Sequence, residues 1–149
     1  MKFTLDLSVI VPLFNMEEET DNAGLFFDLC YEHSIPIAIS PLVLNEVGNC
    51  IVQISKKVGK SGKEYMKRFL EMDLKVIDVD NDTLLSAFDI ARKNDLTFYD
   101  AVHAAVSKKE KSVLITLDKE LLSAIDGSLD IEGAIYFIRD SLESEDERP

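Results

Sequence analysis

The sequence predicts an α/β fold, a three-layer α/β/α sandwich around a mostly parallel sheet of about five strands. Short Val- and Ile-rich runs alternate along the chain with longer stretches whose apolar residues recur at helical spacing. Such alternation implies parallel pairing, with helices covering both faces of the sheet. At 149 residues, 46% hydrophobic and 30% charged, the chain suffices for one domain with a real core and leaves too little for a second.

The elements follow in order. KFTLDLSVIVPLF, residues 2–14, reads as a buried strand (FTLD, 3–6) running into a helix, with Asp6 its only carboxylate. Residues 19–33 have helical spacing, and PIAIS (36–40) is the second strand. Ser40 as cap and Pro41 at the first helical position open a helix over 41–58. Gly59 and Gly62 mark a break before a helix over 61–72. LKVIDV (74–79) is a strand, and the capping-type Asp82 opens a helix over 82–93. A helix rich in Ala and Val spans 98–109, followed by the strand SVLITL (112–117) and a short helix over 118–125 that ends at Gly127. GAIYFI (133–138) is read as the fifth strand. Residues 1–140 form the domain, and the acidic tail over 141–149, with ESEDERP at its end, is expected to be disordered.

The formal net charge of −12 argues against nonspecific nucleic-acid binding, which needs Lys and Arg on the contact surface. Basic charge is nevertheless concentrated in KKVGKSGKEYMKR (56–68) and SKKEK (107–111), where solvated helix faces and turns are the plainer reading. Cys30 and Cys50 lack metal-binding spacing and read as reduced core residues. No leader-like segment opens the sequence and no run approaches the ~18 apolar residues of a membrane span, so a cytoplasmic protein with no membrane association is expected.

In parallel α/β sheets, sites form at the carboxyl ends of the strands. Two acids stand there: Asp6, closing FTLD, and Asp118, closing SVLITL. Each alone is accounted for as a helix cap. Glu46 lies in an apolar helix, where it faces either solvent, beside Asn45 and Asn49, or a site. Asp100, near the start of a helix of small and apolar residues, sits where the macrodipole stabilises an anion. Thr97 is placed either to cap that helix or to bind a water near Asp100. His103, one turn after Asp100, reads as a packing or surface histidine and stays outside the catalytic set. DVDND (78–82) lacks the Gly and terminal Glu of a calcium loop and is better explained as a strand end followed by a capped helix. No Gly-rich phosphate loop is present.

Taken in order, Asp6 in LDLSVIVPLF, Glu46 in PLVLNEVGNCI, Asp100 in FYDAVHAAVS and Asp118 in ITLDKEL resemble the acidic signature of the PIN-domain nucleases, over about residues 3–138. The small single-domain form, with its DxS start and TxD end, is similar to the VapC toxins of type II toxin-antitoxin systems. That resemblance implies a PIN-like domain and a metal-dependent endoribonuclease cutting single-stranded RNA with Mg²⁺ or Mn²⁺, for which hard carboxylate oxygens are suited. It implies Asp6, Glu46, Asp100 and Asp118 as catalytic metal ligands, directly or through water, with Ser8, Thr97 and Thr116 as supporting hydroxyls. It further implies an RNA substrate, a small antitoxin partner and a homodimer. RNA binding then falls to Lys56, Lys57, Lys60, Lys63 and Arg68. The competing expectations are a PIN-like module that binds RNA or protein without cleavage, or a PIN-like nuclease of RNA processing or DNA repair.

Overall fold

The computed structural model describes residues 1–14, 20–58 and 62–146. Four three-residue strands, β1 (Phe3–Leu5), β2 (Ile37–Ile39), β3 (Leu74–Val76) and β4 (Val113–Ile115), form one sheet in the order β3-β2-β1-β4, with every pairing parallel. The helices are α1 (Leu7–Ile10), α2 (Thr20–Glu32), α3 (Pro41–Val58), α4 (Lys63–Glu71), α5 (Asn81–Asn94), α6 (Phe98–Glu110), α7 (Lys119–Ala124) and α8 (Ile131–Asp146), and a 3₁₀ turn over Val11–Leu13 follows α1.

The strand period of two sorts the sheet into faces. Phe3, Leu5, Ile37, Ile39 and Ile115 join the large core with Phe26 of α2, Val43 and Val47 of α3, Phe69 of α4, and Ile131 and Ile138 of α8. The alternate residues point the other way: Ala38 packs on Val106 of α6, and Leu114 on Ala104 of α6 and Leu121 of α7. Ala101 and Ala105 let α6 lie close against Ala87 of α5. Three layers follow from this division, as the sequence predicts.

The expected fifth strand is corrected. GAIYFI lies inside α8, where Ala134, Ile135 and Ile138 recur at helical spacing on the buried side while Tyr136 is exposed. A short apolar run is ambiguous between strand and buried helix, and here the helix continues well beyond it. Helical structure also extends over residues 141–146, where disorder is expected from the charge; Leu142 packs against the main core and carries the helix onward. Residues 147–149 lie outside the described residues. The cap of α5 is Asp80 rather than Asp82: its carboxylate accepts from the Thr83 backbone N–H at 2.9 Å. Among the described residues no helix is long and apolar enough to cross a membrane.

Candidate active site

Register brings the strand ends together. Leu5 pairs with both Ile39 and Ile115, so the next residues, Ser40, Asp6 and Thr116, stand side by side where the three strands stop. All three are buried polar residues, with Asp6 only 6% exposed. A buried carboxylate needs donors, and Asp6 has them. Its Oδ1 accepts from Ser8 Oγ at 2.6 Å and from the Ser8 backbone N–H at 3.2 Å, which makes Asp6 the N-cap of α1. Its Oδ2 accepts from Thr116 Oγ1 at 2.8 Å. Ser8 Oγ in turn accepts from the Leu117 N–H at 2.7 Å, and Thr116 Oγ1 from the Asp118 N–H at 3.0 Å. Each hydroxyl therefore both holds Asp6 and fixes the loop after β4. Burial pushes the Asp6 carboxyl above its ordinary 3.8, while the bonds from Ser8 and Thr116 and the proximity of His103 pull it back in part.

The other acids arrive on helices. Asp118 is the N-cap of α7: its Oδ1 accepts from the Glu120 N–H at 2.8 Å and the Leu121 N–H at 3.0 Å. Asp100 lies in the first turn of α6, where Thr97 caps the helix and donates from Oγ1 to Asp100 Oδ2 at 2.5 Å. Glu46 turns inward from α3. Its Oε2 is shielded from solvent and, among the described residues, closes no hydrogen bond; His103 Nε2 lies 3.4 Å away.

Asp6, Glu46, Asp100 and Asp118 thus line one cleft of about 430 Å³, together with Ser8, Cys50, His103 and Leu117. Among the described residues, no Lys or Arg lines it. A cavity of about 440 Å³ lies at the opposite, amino ends of β2 and β3, but it is walled by Phe27, Tyr31, Pro36 and Met72, and among the described residues only Asp28 and Asp73 bring carboxylates to it. The four acids gather in the strand-end cleft.

Two residues of this cleft stand outside the site set that the sequence suggests. His103 is 2% exposed and faces Glu46, with its Nδ1 3.2 Å from Ser40 Oγ. The signal available was its spacing: three residues after Asp100, it falls on the same side of α6. Cys50, expected in the core, borders the cleft one turn after Glu46, whereas Cys30 is buried and its thiol is pushed up to about 12. Of the basic residues, Lys56 and Lys57 occupy the exposed last turn of α3, and Lys63 and Arg68 are exposed on α4. Lys60 lies outside the described residues. Ten residues of α3 separate Glu46 from Lys56, about 15 Å along the axis.

Among the described residues, no three His, Cys, Asp or Glu side chains are already close enough to hold one metal ion. The donor set nonetheless suits a hard, water-rich cation. Mg²⁺ keeps several of its waters and takes only one or two carboxylates directly, so an all-protein cage is not required. The unpartnered Glu46 Oε2, beside a cleft bordered by three further carboxylates, fits the same requirement.

The family model described as PIN domain matches residues 3–127. Exonuclease VapC9 of Pyrobaculum aerophilum is 32% identical over 107 residues, 71% of this chain and 80% of that protein. In the solved structure of PAE2754, also from Pyrobaculum aerophilum, the likeness has a TM-score of 0.69 at 27% identity, over 94% of this chain and 90% of the other. VapBC2 from Rickettsia felis, solved bound to a DNA fragment from its promoter, matches with a TM-score of 0.68 at 19% identity, over 87% of this chain and 97% of the other.

Proposed function

From the premise that this chain belongs to the PIN domain family, we propose that it is a metal-dependent endoribonuclease cutting single-stranded RNA, and the toxin of a toxin-antitoxin pair. The observation that carries the reading is the meeting of Asp6, Glu46, Asp100 and Asp118 in one cleft at the carboxyl ends of β1 and β4. In addition, the relative that shares 32% identity is named as an exonuclease of the VapC type.

Asp6, Asp100, Asp118 and Glu46 are the residues to hold Mg²⁺ or Mn²⁺. When bound, such an ion supplies a water of lowered pKa and neutralises charge that develops on the phosphate. The chain's own part is to present oxygens in fixed directions. Ser8 and Thr116 spend their hydroxyl protons on Asp6, and Thr97 spends its own on Asp100, which leaves these carboxylates few ways to turn. Asp118 commits Oδ1 to the α7 backbone. With no Lys or Arg among its described lining residues, the acidic cleft by itself would repel phosphate, a charge that a divalent ion held by these carboxylates would offset. RNA then has to be guided from outside the cleft, a role for Lys56, Lys57, Lys63 and Arg68.

Two partners belong to the reading. A small antitoxin is supported by the likeness to the VapC-type relative and to the VapBC2 complex. A homodimer is supported by the exposed Leu84, Leu85 and Phe88 on α5. The deciding experiment incubates a circular and a linear RNA with the protein and Mg²⁺ or Mn²⁺, beside Asp100→Asn. Linearisation of the circle, lost with EDTA and in the variant, is expected. Attack on the linear RNA alone would replace the endonuclease by an exonuclease, and cleavage that survives EDTA or Asp100→Asn would overturn the mechanism.

A further inference from the structure

His103 joins three elements that converge on the cleft. It is carried by α6, its Nδ1 lies 3.2 Å from Ser40 Oγ at the end of β2, and its Nε2 lies 3.4 Å from Glu46 Oε2 on α3. His103 and Ser40 are both buried, and the Glu46 oxygen they approach is shielded from solvent with no hydrogen bond closed among the described residues. An ionised oxygen in that position loses its hydration, so a donor aimed at it decides which way the carboxylate points.

We propose that Ser40 and His103 form a positioning relay for Glu46: the Ser40 hydroxyl donates to Nδ1, which leaves the proton on Nε2, and that N–H holds the Glu46 carboxylate toward the cleft. Of the two neutral tautomers, each with one donor and one acceptor, only this one satisfies both neighbours at once. Were the proton on Nδ1, the Nε2 lone pair would face the carboxylate. The 3.4 Å separation is long for a closed bond, so the relay aims the carboxylate without locking it. Because Asp100 precedes His103 on the same helix, any displacement of α6 moves a carboxylate and the orienter of another together.

This inference rests on the metal-dependent reading above, and two measurements keep the two apart. In the first, ¹⁵N imidazole correlations of the metal-free chain are expected to show the Nε2–H form at His103, and Ser40→Ala is expected to turn it into a mixture. An Nδ1–H form in the wild type, or no change in Ser40→Ala, overturns the relay whether or not the protein is a nuclease. In the second, Mn²⁺ binding is followed by electron paramagnetic resonance. His103→Leu should weaken it about 10-fold or more, as loss of a residue supporting a metal ligand does. His103→Gln, which returns an N–H donor, should recover most of that loss. In a Glu46→Gln background, His103→Leu should add nothing. Equal weakening in both backgrounds, or wild-type affinity in His103→Leu, rules the relay out. Mn²⁺ binding absent from the wild type defeats the metal-dependent reading, and the imidazole spectrum then still decides the relay.

Discussion

Thr116 Oγ1 donates a 2.8 Å hydrogen bond to Asp6 Oδ2 and so ties together two strand ends 110 residues apart in the chain. The same hydroxyl accepts from the Asp118 N–H, and one threonine thereby orders two acids of the cleft. Thr116→Val keeps the shape and deletes both bonds. We expect a loss of about 1–3 kcal/mol in urea unfolding, the cost of leaving a buried charged acceptor short of a donor. Thr116→Ser should lose less than half as much.

Asp6 itself works against stability at neutral pH. Its folded pKa is raised, so its contribution is fully present below the unfolded value of 3.8 and is lost as pH rises through the folded value. Asp6→Asn should therefore melt higher than wild type at pH 7, with the gain vanishing as pH falls below about 4. Cleavage should be lost and Mn²⁺ should no longer stabilise the variant. A melting point at pH 7 below that of wild type would contradict the assignment of burial as the dominant influence on Asp6.

Asp118 caps α7 and is proposed to serve the site, and two substitutions separate the two roles. Asp118→Asn keeps an acceptor for the Glu120 and Leu121 N–H groups and should unfold near the wild-type urea midpoint. Asp118→Ala should cost about 1 kcal/mol, as cap removal does. Both should fall to background in metal-dependent RNA cleavage. If Asp118→Asn cleaves normally, Asp118 is a cap alone.

Asp80 gives the opposite pH signature away from the cleft. Hydrogen bonds from Lys109 and Thr83 hold its carboxyl well below the usual range, so its contribution is present above 3.8 and is lost as pH falls toward the folded value. Asp80→Ala should lower the melting temperature at pH 7, and the deficit should shrink on acidification below about 4. Its cleavage rate should match wild type, since neither Asp80 nor Lys109 borders the cleft.

Lys56 and Lys57 are tested by salt. Replacing both with Gln should weaken binding of single-stranded RNA and flatten the dependence of log K on log salt by about 0.7 for each phosphate no longer neutralised. The rate at saturating RNA should hold. An unchanged slope would move the RNA path off the end of α3.

Local chemistry was written plainly in this sequence. Alternating apolar runs announced parallel strands under two helical layers, Pro41 announced the start of α3, and Asp6, Asp100 and Asp118 stood out as acids at strand ends and helix starts. The run at 133–138 was not decidable locally, because Ala134, Ile135 and Ile138 satisfy a buried helix as well as a strand, and only the core available to α8 chooses between them. Nor does helical periodicity say which way Glu46 faces. That was settled when α6 brought His103 against α3, and when the register of β1 with β2 and β4 set Ser40, Asp6 and Thr116 in one row. Sequence determines which groups ionise, cap and pack over a few residues; tertiary structure decides which of them meet, since a hydrogen bond spanning 110 residues depends on sheet order and the packing of layers rather than on any local preference.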